Sequence, residues 1–146
     1  MENENDVINK NNNHIEKYEG DQLNGVKEGK GIYYWSNGDS YKGQWKENLM
    51  HGKGEFIFNN GDKYIGQWKK GKKTGMGKYY FSDGSIFEGN WEDDMKEGKG
   101  KITYKCGTIF EGLWHQDKRE GKGKFYQCNL DVEYIDGELM KIKLLK

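Results

Sequence analysis

The string Tyr41-Lys42-Gly43-Gln44-Trp45 decides the fold, because it returns three times at one fixed interval. The other copies are Tyr64-Ile65-Gly66-Gln67-Trp68, Phe87-Glu88-Gly89-Asn90-Trp91 and Phe110-Glu111-Gly112-Leu113-Trp114. The copies start at residues 41, 64, 87 and 110, so the period is 23 residues. A fixed period in this range is the signature of a repeat architecture, in which each unit packs against its neighbours.

Glycine also recurs within each unit. When unit positions are counted from the first aromatic residue, glycine occupies positions 3, 12, 14 and 21, with few exceptions. The first unit is degenerate, because Gln22 stands at position 5 where later units have tryptophan. A final half unit is predicted at Ile135, with Ile135 and Leu139 in the places of tyrosine and tryptophan. The predicted units therefore start at Tyr18, Tyr41, Tyr64, Phe87, Phe110 and Ile135.

These units predict a repeat array over residues 18–139, with a different segment at each end. Residues 1–17 are rich in Asn, Glu and Lys and lack hydrophobic periodicity, which predicts a disordered N-terminal tail. Residues 140–146 contain an alternation of apolar residues and lysine, which predicts a closing strand. A hairpin that turns at Asp136-Gly137 is the alternative for this end of the chain.

The composition indicates a thin structure rather than a thick globular core. Only 33% of the 146 residues are hydrophobic, and the mean hydropathy is −1.14. Aromatic residues nevertheless make up 14% of the chain, whereas disordered chains have few of them. The formal net charge is zero, so overall charge gives no attraction to nucleic acid or to a membrane surface. This balance argues against nucleic-acid binding, which needs a basic groove.

The sequence gives no sign of a membrane-spanning or secreted protein, a disulfide-bonded protein or an enzyme. No apolar run approaches a membrane span and no signal-peptide pattern opens the chain, which predicts an intracellular, cytoplasmic location. Cys106 and Cys128 fall in adjacent repeats at nearly equal positions, about 9–10 Å apart, which predicts two free thiols. The histidines are scattered, and no carboxylate pair or activated serine stands out. The sequence thus predicts no catalytic residue, no metal site and no cofactor.

Strand pairing can be derived from parity. Four glycines in each unit disfavour helix, and apolar residues alternate at positions 1–5 and 14–18, which predicts two strands per unit. A three-residue loop at positions 19–21, with a left-handed glycine such as Gly61, pairs position 16 with 1 and position 14 with 3. This register puts Phe56 opposite Tyr64 and Gly54 opposite Gly66, so every conspicuous residue shares one face. Positions 6–11 are left as a charged loop.

The predicted fold is an all-β, single-layer, elongated and twisted antiparallel sheet of stacked β-hairpins. The spacing Tyr-x-Gly-x-Trp, Gly-x-Gly and Asn/Asp-Gly resembles the MORN (membrane occupation and recognition nexus) repeat, over about residues 18–139. The resemblance implies a grooved aromatic face and a scaffold or adaptor rather than an enzyme. It also implies a partner helix or peptide in the groove, a link to membrane or cytoskeleton, and in some members a homodimer.

The shared face supplies the candidate site. Large exposed apolar surfaces mark interaction sites, and Trp and Tyr are favoured at binding hot spots. The rings predicted to line a partner-binding groove are Trp35, Tyr41, Trp45, Phe58, Tyr64, Trp68, Phe81, Phe87, Trp91, Tyr104, Phe110 and Trp114. A strip of structural glycines is predicted to keep the floor of the groove open, either for neighbouring rings or for a partner's backbone: Gly43, Gly54, Gly66, Gly77, Gly89, Gly100 and Gly112.

The charge pattern suggests an alternative function. Residues 63–82 contain six lysines and no acid, whereas residues 83–98 contain six acids and one lysine. A loop with Lys69, Lys70, Lys72 and Lys73 is a candidate contact for phosphoinositide, another anionic lipid surface or an acidic partner. The simpler interpretation is a solvated loop edge. Association of two chains through these oppositely charged segments is a third interpretation.

Overall fold

The computed structural model describes residues 7–8, 15–126 and 130–144. Within these residues the chain forms one open antiparallel sheet without helices, and its strands lie side by side in chain order. The predicted all-β fold is therefore confirmed. The strands are β1 (Val7–Ile8), β2 (Ile15–Leu23), β3 (Val26–Tyr34), β4 (Ser40–Lys46), β5 (Leu49–Ile57), β6 (Lys63–Lys69), β7 (Lys72–Tyr80), β8 (Ile86–Glu92), β9 (Met95–Thr103), β10 (Ile109–His115), β11 (Lys118–Phe125), β12 (Leu130–Ile135) and β13 (Glu138–Leu144).

The register between units is the one that parity predicts. Phe56 of β5 lies opposite Tyr64 of β6, and Gly54 lies opposite Gly66. The connecting turn has its glycine, Gly61, at a φ of 91°, as the three-residue loop requires. Because each later unit repeats this pairing, the conspicuous aromatic residues share one face of the sheet.

The turn within each unit is short. The predicted charged loop at positions 6–11 is therefore wrong. β4 ends at Lys46 and β5 begins at Leu49, so only Glu47 and Asn48 form the turn. Their φ angles are 50° and 65°, as in the two-residue type I′ turn that matches the strand twist. The two-residue turn brings unit positions 9–11 into a strand. Gly52, with a φ of 55°, then lies in a β-bulge where the register shifts.

The sheet extends beyond the predicted N-terminal boundary. Residues 15–17 belong to β2, and Val7–Ile8 pair with residues 15–16, so the predicted tail boundary at residue 17 is wrong. Lys17 pairs with Tyr34 because the ladder of the first hairpin continues past Tyr18 in the same register. The rest of the predicted tail, residues 1–6 and 9–14, lies outside the described residues.

The C-terminal end is a hairpin, not a half unit that starts at Ile135. β12 and β13 turn at Asp136-Gly137, and β13 begins at Glu138 rather than at residue 140. The Ile-Asp-Gly-Glu-Leu string resembles the repeated pentapeptide, but its glycine forms the turn. Ile135 and Leu139 are consequently exposed by 52% and 47%. Tyr134 takes the tryptophan place instead, because it is buried, pairs with Gly121 and packs edge-on to Phe110 at 5.7 Å.

The core of the sheet is a line of rings that we call the inner row. Rings from unit positions 1 and 5 alternate along it at centroid distances between 5.2 Å and 6.0 Å, as in the contacts of Tyr41 with Trp45 and of Phe110 with Trp114. Each pair is nearly perpendicular, the edge-to-face geometry that aromatic quadrupoles favour. The inner row consists of Tyr18, Tyr41, Trp45, Tyr64, Trp68, Phe87, Trp91, Phe110, Trp114 and Tyr134.

The glycine strip is filled by these rings, so of its two predicted uses the structure shows the place for neighbouring rings, and no open floor is left for a partner's backbone. The Tyr41 ring lies across Gly43 and Gly54, and its hydroxyl donates to the carbonyl of Gln44 at 3.0 Å. A Cβ atom on Gly54 would stand 2.2 Å from that hydroxyl. The position-1 ring of each unit covers its own glycines in the same way, at Gly66 and Gly77, at Gly89 and Gly100, and at Gly112.

Candidate interaction surface

A second line of side chains, the outer row, lies beside the inner row on the same face. Its members come from unit positions 16 and 18. From Tyr33 to Phe81 successive ring centroids are 4.5–5.7 Å apart, for example 5.7 Å between Phe58 and Tyr79. The outer row partly covers the inner one, since Tyr79 lies 6.0 Å from Trp91. The outer row consists of Tyr33, Trp35, Phe56, Phe58, Tyr79, Phe81, Ile102 and Tyr104, all partly exposed except Phe56.

The twelve rings predicted for the groove share one face but differ in accessibility. Eight belong to the inner row and are buried, with exposures between 0% for Tyr41 and 7% for Trp114. The prediction that these eight rings are available to a partner is therefore wrong, because the outer row and their own neighbours already cover them. The four position-18 rings are the accessible part of the predicted set: Trp35, Phe58, Phe81 and Tyr104.

Basic side chains from unit position 10 lie on this aromatic face. Because the turn within the unit is short, Lys73 pairs with Trp68 and its side chain points to the rings. Its Nζ atom is 4.6 Å from the ring centroid of Trp91 and 5.3 Å from that of Tyr79, within cation–π distance. We call Lys27, Lys73, Lys96 and Arg119 the cation row. Met50 holds the same position in the second unit.

The predicted loop at positions 6–11 hides the cation row, because position 10 has no defined face unless it belongs to a strand. The available signal was Asn24-Gly25 at positions 7 and 8 of the first unit, a dipeptide typical of a two-residue hairpin turn. Such a turn puts position 10 opposite position 5, on the aromatic face. With that register, the residues at position 10 form one row across the aromatic face: Lys27, Met50, Lys73, Lys96 and Arg119.

The positive charge at the centre of the cation row is only partly compensated by carboxylates. Burial lowers the pKa of Lys73, while Asp94 and Asp117 raise it and the neighbouring Lys96 lowers it again. Lys96 has an ion-pair partner in Asp117 at 3.5 Å. Across the described part of the chain, no carboxylate lies within ion-pair distance of Lys73 Nζ. Lys73 thus lies among rings, with attraction from the two aspartates that exceeds the repulsion from Lys96.

Asp62 anchors the outer row at the turns between units. The hydroxyl of Tyr79 donates to Asp62 Oδ2 at 2.7 Å, and the backbone N–H of Ser82 donates to Oδ1 at 2.8 Å. Burial of Asp62 would raise the pKa of its carboxyl group, but hydrogen bonds from Tyr79, Ser82 and Asn60 hold that pKa below its ordinary value. The carboxylate therefore fixes one turn to the next and orients a ring of the outer row.

The four lysines predicted as a lipid-contact loop do not form one loop. Lys69 ends β6 and Lys70 lies in the turn, and both are exposed. Lys72 lies 3.5 Å from Asp93, and Lys73 belongs to the cation row. Their placement on one loop is therefore wrong, whereas their contact with an anionic lipid or an acidic partner stays a prediction. The basic segment and the acidic one are adjacent hairpins of one chain, which compensate each other's charge through contacts such as Lys72 with Asp93.

The opposite face of the sheet has a different character. Lys78 and Lys101 flank Glu88 there, at 2.6 Å and 3.3 Å. A cleft of about 980 Å³ lies on this face, lined mainly by charged side chains together with Met76 and Leu113. Its contacts are typical of a solvated face with cross-strand ion pairs, each of which contributes little to stability.

The described residues were compared with the requirements of metal sites, reactive thiols and membrane-spanning helices. The described residues contain no group of three or more His, Cys, Asp or Glu side chains that could hold a metal ion. Cys106 is an exposed free thiol, and Cys128 lies outside the described residues. None of the described residues forms a helix long and apolar enough to cross a membrane.

A single-layer sheet of stacked hairpins, with one ring-lined face, places the chain among β-hairpin repeat proteins. Five matches to the MORN repeat cover residues 18–40, 41–63, 64–86, 87–108 and 110–132, so the chain belongs to the MORN repeat family. This family is a non-enzymatic repeat class, generally associated with protein or membrane interactions. The sequence has no significant match among curated proteins.

Proposed function

We propose that the chain is a non-enzymatic scaffold that binds a helix or peptide of a partner protein along the outer row. The observation that carries this proposal is the outer row itself, a line of aromatic side chains, most of them partly exposed, on one face of a single sheet. Contiguous aromatic surface of this kind is characteristic of interaction sites, and its rings suit the role of hot spots. A link from that partner to membrane or cytoskeleton belongs to the same proposal.

The partner-binding role can be separated from the structural role of the rings. Tryptophans of the inner row are unsuitable for substitution, because Trp68 is 4% exposed and its replacement by alanine would destabilise the fold by about 3–5 kcal/mol. Position 18 is suitable, since its rings are partly exposed. Position 17 supplies the matched control, because Ile57 and Tyr80 adjoin Phe58 and Phe81 in sequence but point to the opposite face.

The experiment compares two double variants. Proximity labelling in the native cell supplies candidate partners, and calorimetry then measures the binding of each purified candidate to the full chain. We expect Phe58→Ser with Phe81→Ser to weaken binding by about tenfold or more, as for loss of two hot-spot rings. Ile57→Ser with Tyr80→Ser should change it less than twofold. Equal affinity of both folded variants, or a loss confined to the position-17 pair, would reject the proposal.

The alternative, an anionic-membrane tether through Lys69, Lys70, Lys72 and Lys73, has weaker support. Lys69 and Lys70 are exposed at the turn, but Lys72 contacts Asp93 and Lys73 contacts the rings. Two lysines give weak, salt-sensitive membrane association at most.

A further inference from the structure

The cation row gives the aromatic face a chemical preference. Lys73, Lys96 and Arg119 come from β7, β9 and β11, so neighbours in the row are two strands apart, about 9.4–9.8 Å. Lys96 Nζ lies 5.4 Å from the Trp114 ring centroid, and the Arg119 guanidinium lies 4.3 Å from that of Phe110. The rings therefore hold three cations at regular intervals beside the outer row.

The chain places few carboxylates close to the cations of this row. Lys96 pairs with Asp117 at 3.5 Å, whereas within the described ranges no carboxylate lies at ion-pair distance from Lys73, which Asp94 and Asp117 attract only from farther away. Arg119 donates to the hydroxyls of Tyr104 and Tyr134, which are neutral acceptors. A carboxylate from another molecule, placed next to these side chains, would therefore gain attraction from more than one cation.

We propose that the occupant of this face is an acidic amphipathic α-helix, with carboxylates at i, i+7 and i+14 that face Lys73, Lys96 and Arg119. This inference rests on the proposed function and names the chemistry of the partner. Seven residues of helix rise about 10.5 Å, close to the spacing of the row, and flexible Lys and Glu side chains absorb the difference. An extended strand repeats its side-chain direction at about 6.6 Å and 13.2 Å, which does not match. The helix's apolar stripe then covers the outer row.

The second unit adds a specificity feature. Met50 replaces the cation there, so the row reads cation, apolar, cation, cation, cation from Lys27 to Arg119. A longer helix that matched every unit would carry an apolar residue opposite Met50. Met50 also shows that the fold accepts methionine at position 10, which makes Lys→Met the appropriate test substitution.

The test uses the full chain and a synthetic, fluorescently labelled 22-residue helical peptide with glutamates at i, i+7 and i+14 and leucines facing the rings. Anisotropy titrations at low and high salt measure its affinity. We expect Lys73→Met with Lys96→Met to weaken binding about tenfold at low salt, and Met50→Lys to strengthen binding of a peptide extended by one glutamate heptad. High salt should reduce the affinity of wild type more than that of the double methionine variant.

Two controls make the outcome specific. Lys99→Met with Lys122→Met removes the same charge from the opposite face, which these lysines share with the cleft, and should change affinity less than twofold. A peptide with its glutamates moved to i, i+5 and i+10 should bind more weakly than the heptad peptide. Equal losses in both methionine pairs, no loss in either, or no binding of the heptad peptide to wild type would overturn the inference.

Binding by a proline-rich peptide alone would overturn it as well, because polyproline II repeats every 9.3 Å and would fit the row without a helix. None of these results decides whether a partner binds the outer row, since that question depends on the Phe58 and Phe81 variants. The two proposals therefore fail separately.

Discussion

Replacement of Gly54 by alanine tests how the sheet is packed. The new Cβ atom would lie 2.2 Å from the Tyr41 hydroxyl and 2.4 Å from two ring carbons, whereas ordinary contacts begin near 3.4 Å. The ring therefore has to move by more than about 1 Å, although Tyr41 is fully buried between its neighbours. Overpacking of this kind costs about 1–3 kcal/mol, offset in part by the loss of glycine's conformational entropy, about 0.5–1 kcal/mol.

The net expectation is a loss of about 1–2 kcal/mol, or about 2–8 °C in melting temperature for a chain of this size. Denaturant titration followed by tryptophan fluorescence measures the free energy of unfolding. Lys53→Ala, one residue away with its side chain exposed on the opposite face, is the control and should stay within about 0.5 kcal/mol of wild type.

A double-mutant cycle identifies the cause of the loss. In a Tyr41→Leu background the ring no longer lies on the strip, so Gly54→Ala should cost about 1 kcal/mol less than in wild type. If Gly54→Ala leaves stability unchanged in the wild-type background, the ring does not lie on Gly54 and the account of the glycine strip is incorrect.

Three further predictions concern other contacts. Tyr41→Phe removes the hydrogen bonds from the hydroxyl to the carbonyls of Gln44 and His51 but keeps the ring, and phenylalanine occupies the same unit position at Phe87. The free energy of unfolding from denaturant titration should fall by about 0.5–1.5 kcal/mol. A loss above about 3 kcal/mol would contradict this expectation. Because the folded-state pKa of Asp62 is lowered, its contribution to stability is complete above the unfolded pKa of about 4 and disappears as pH falls through the folded value. The free energy of unfolding should therefore fall less below pH 4 in Asp62→Asn than in wild type, and parallel curves would refute the role of this carboxylate. At physiological ionic strength, the fraction of wild type that co-sediments with phosphoinositide vesicles should be no larger than that of the double variant Lys69→Gln with Lys70→Gln. A clearly larger fraction for wild type would favour the membrane tether.

The sequence was sufficient for the fold and for the register between units. Parity, together with the position of the turn glycine, put Phe56 opposite Tyr64, because a two-residue loop would have divided the aromatic residues between two faces. Asn-Gly and Asp-Gly pairs marked these turns because positive φ is costly for most other residues. The repeat period then transferred the result from one unit to the next.

The site was predicted only in part, for physical reasons. The turn within a unit contains residues such as Glu47 and Lys70 at positive φ, which the residue preferences of type I′ turns do not favour. Without that turn, Lys73 could not be placed on the aromatic face. Burial was also not deducible, because the choice between an open glycine strip and one filled by Tyr41 depends on the ring rotamer.

If a partner protein lies on the outer row, a cross-linking group placed in that row should capture the partner. A photoreactive phenylalanine analogue is introduced at Phe58 in one chain and at the adjacent Ile57 in another, and both are expressed in the native cell. Position 58 belongs to the outer row, whereas position 57 points to the opposite face. We predict that irradiation yields a covalent adduct with the calorimetrically verified partner from position 58 and not from position 57. An adduct with that partner from position 57 alone would contradict the account.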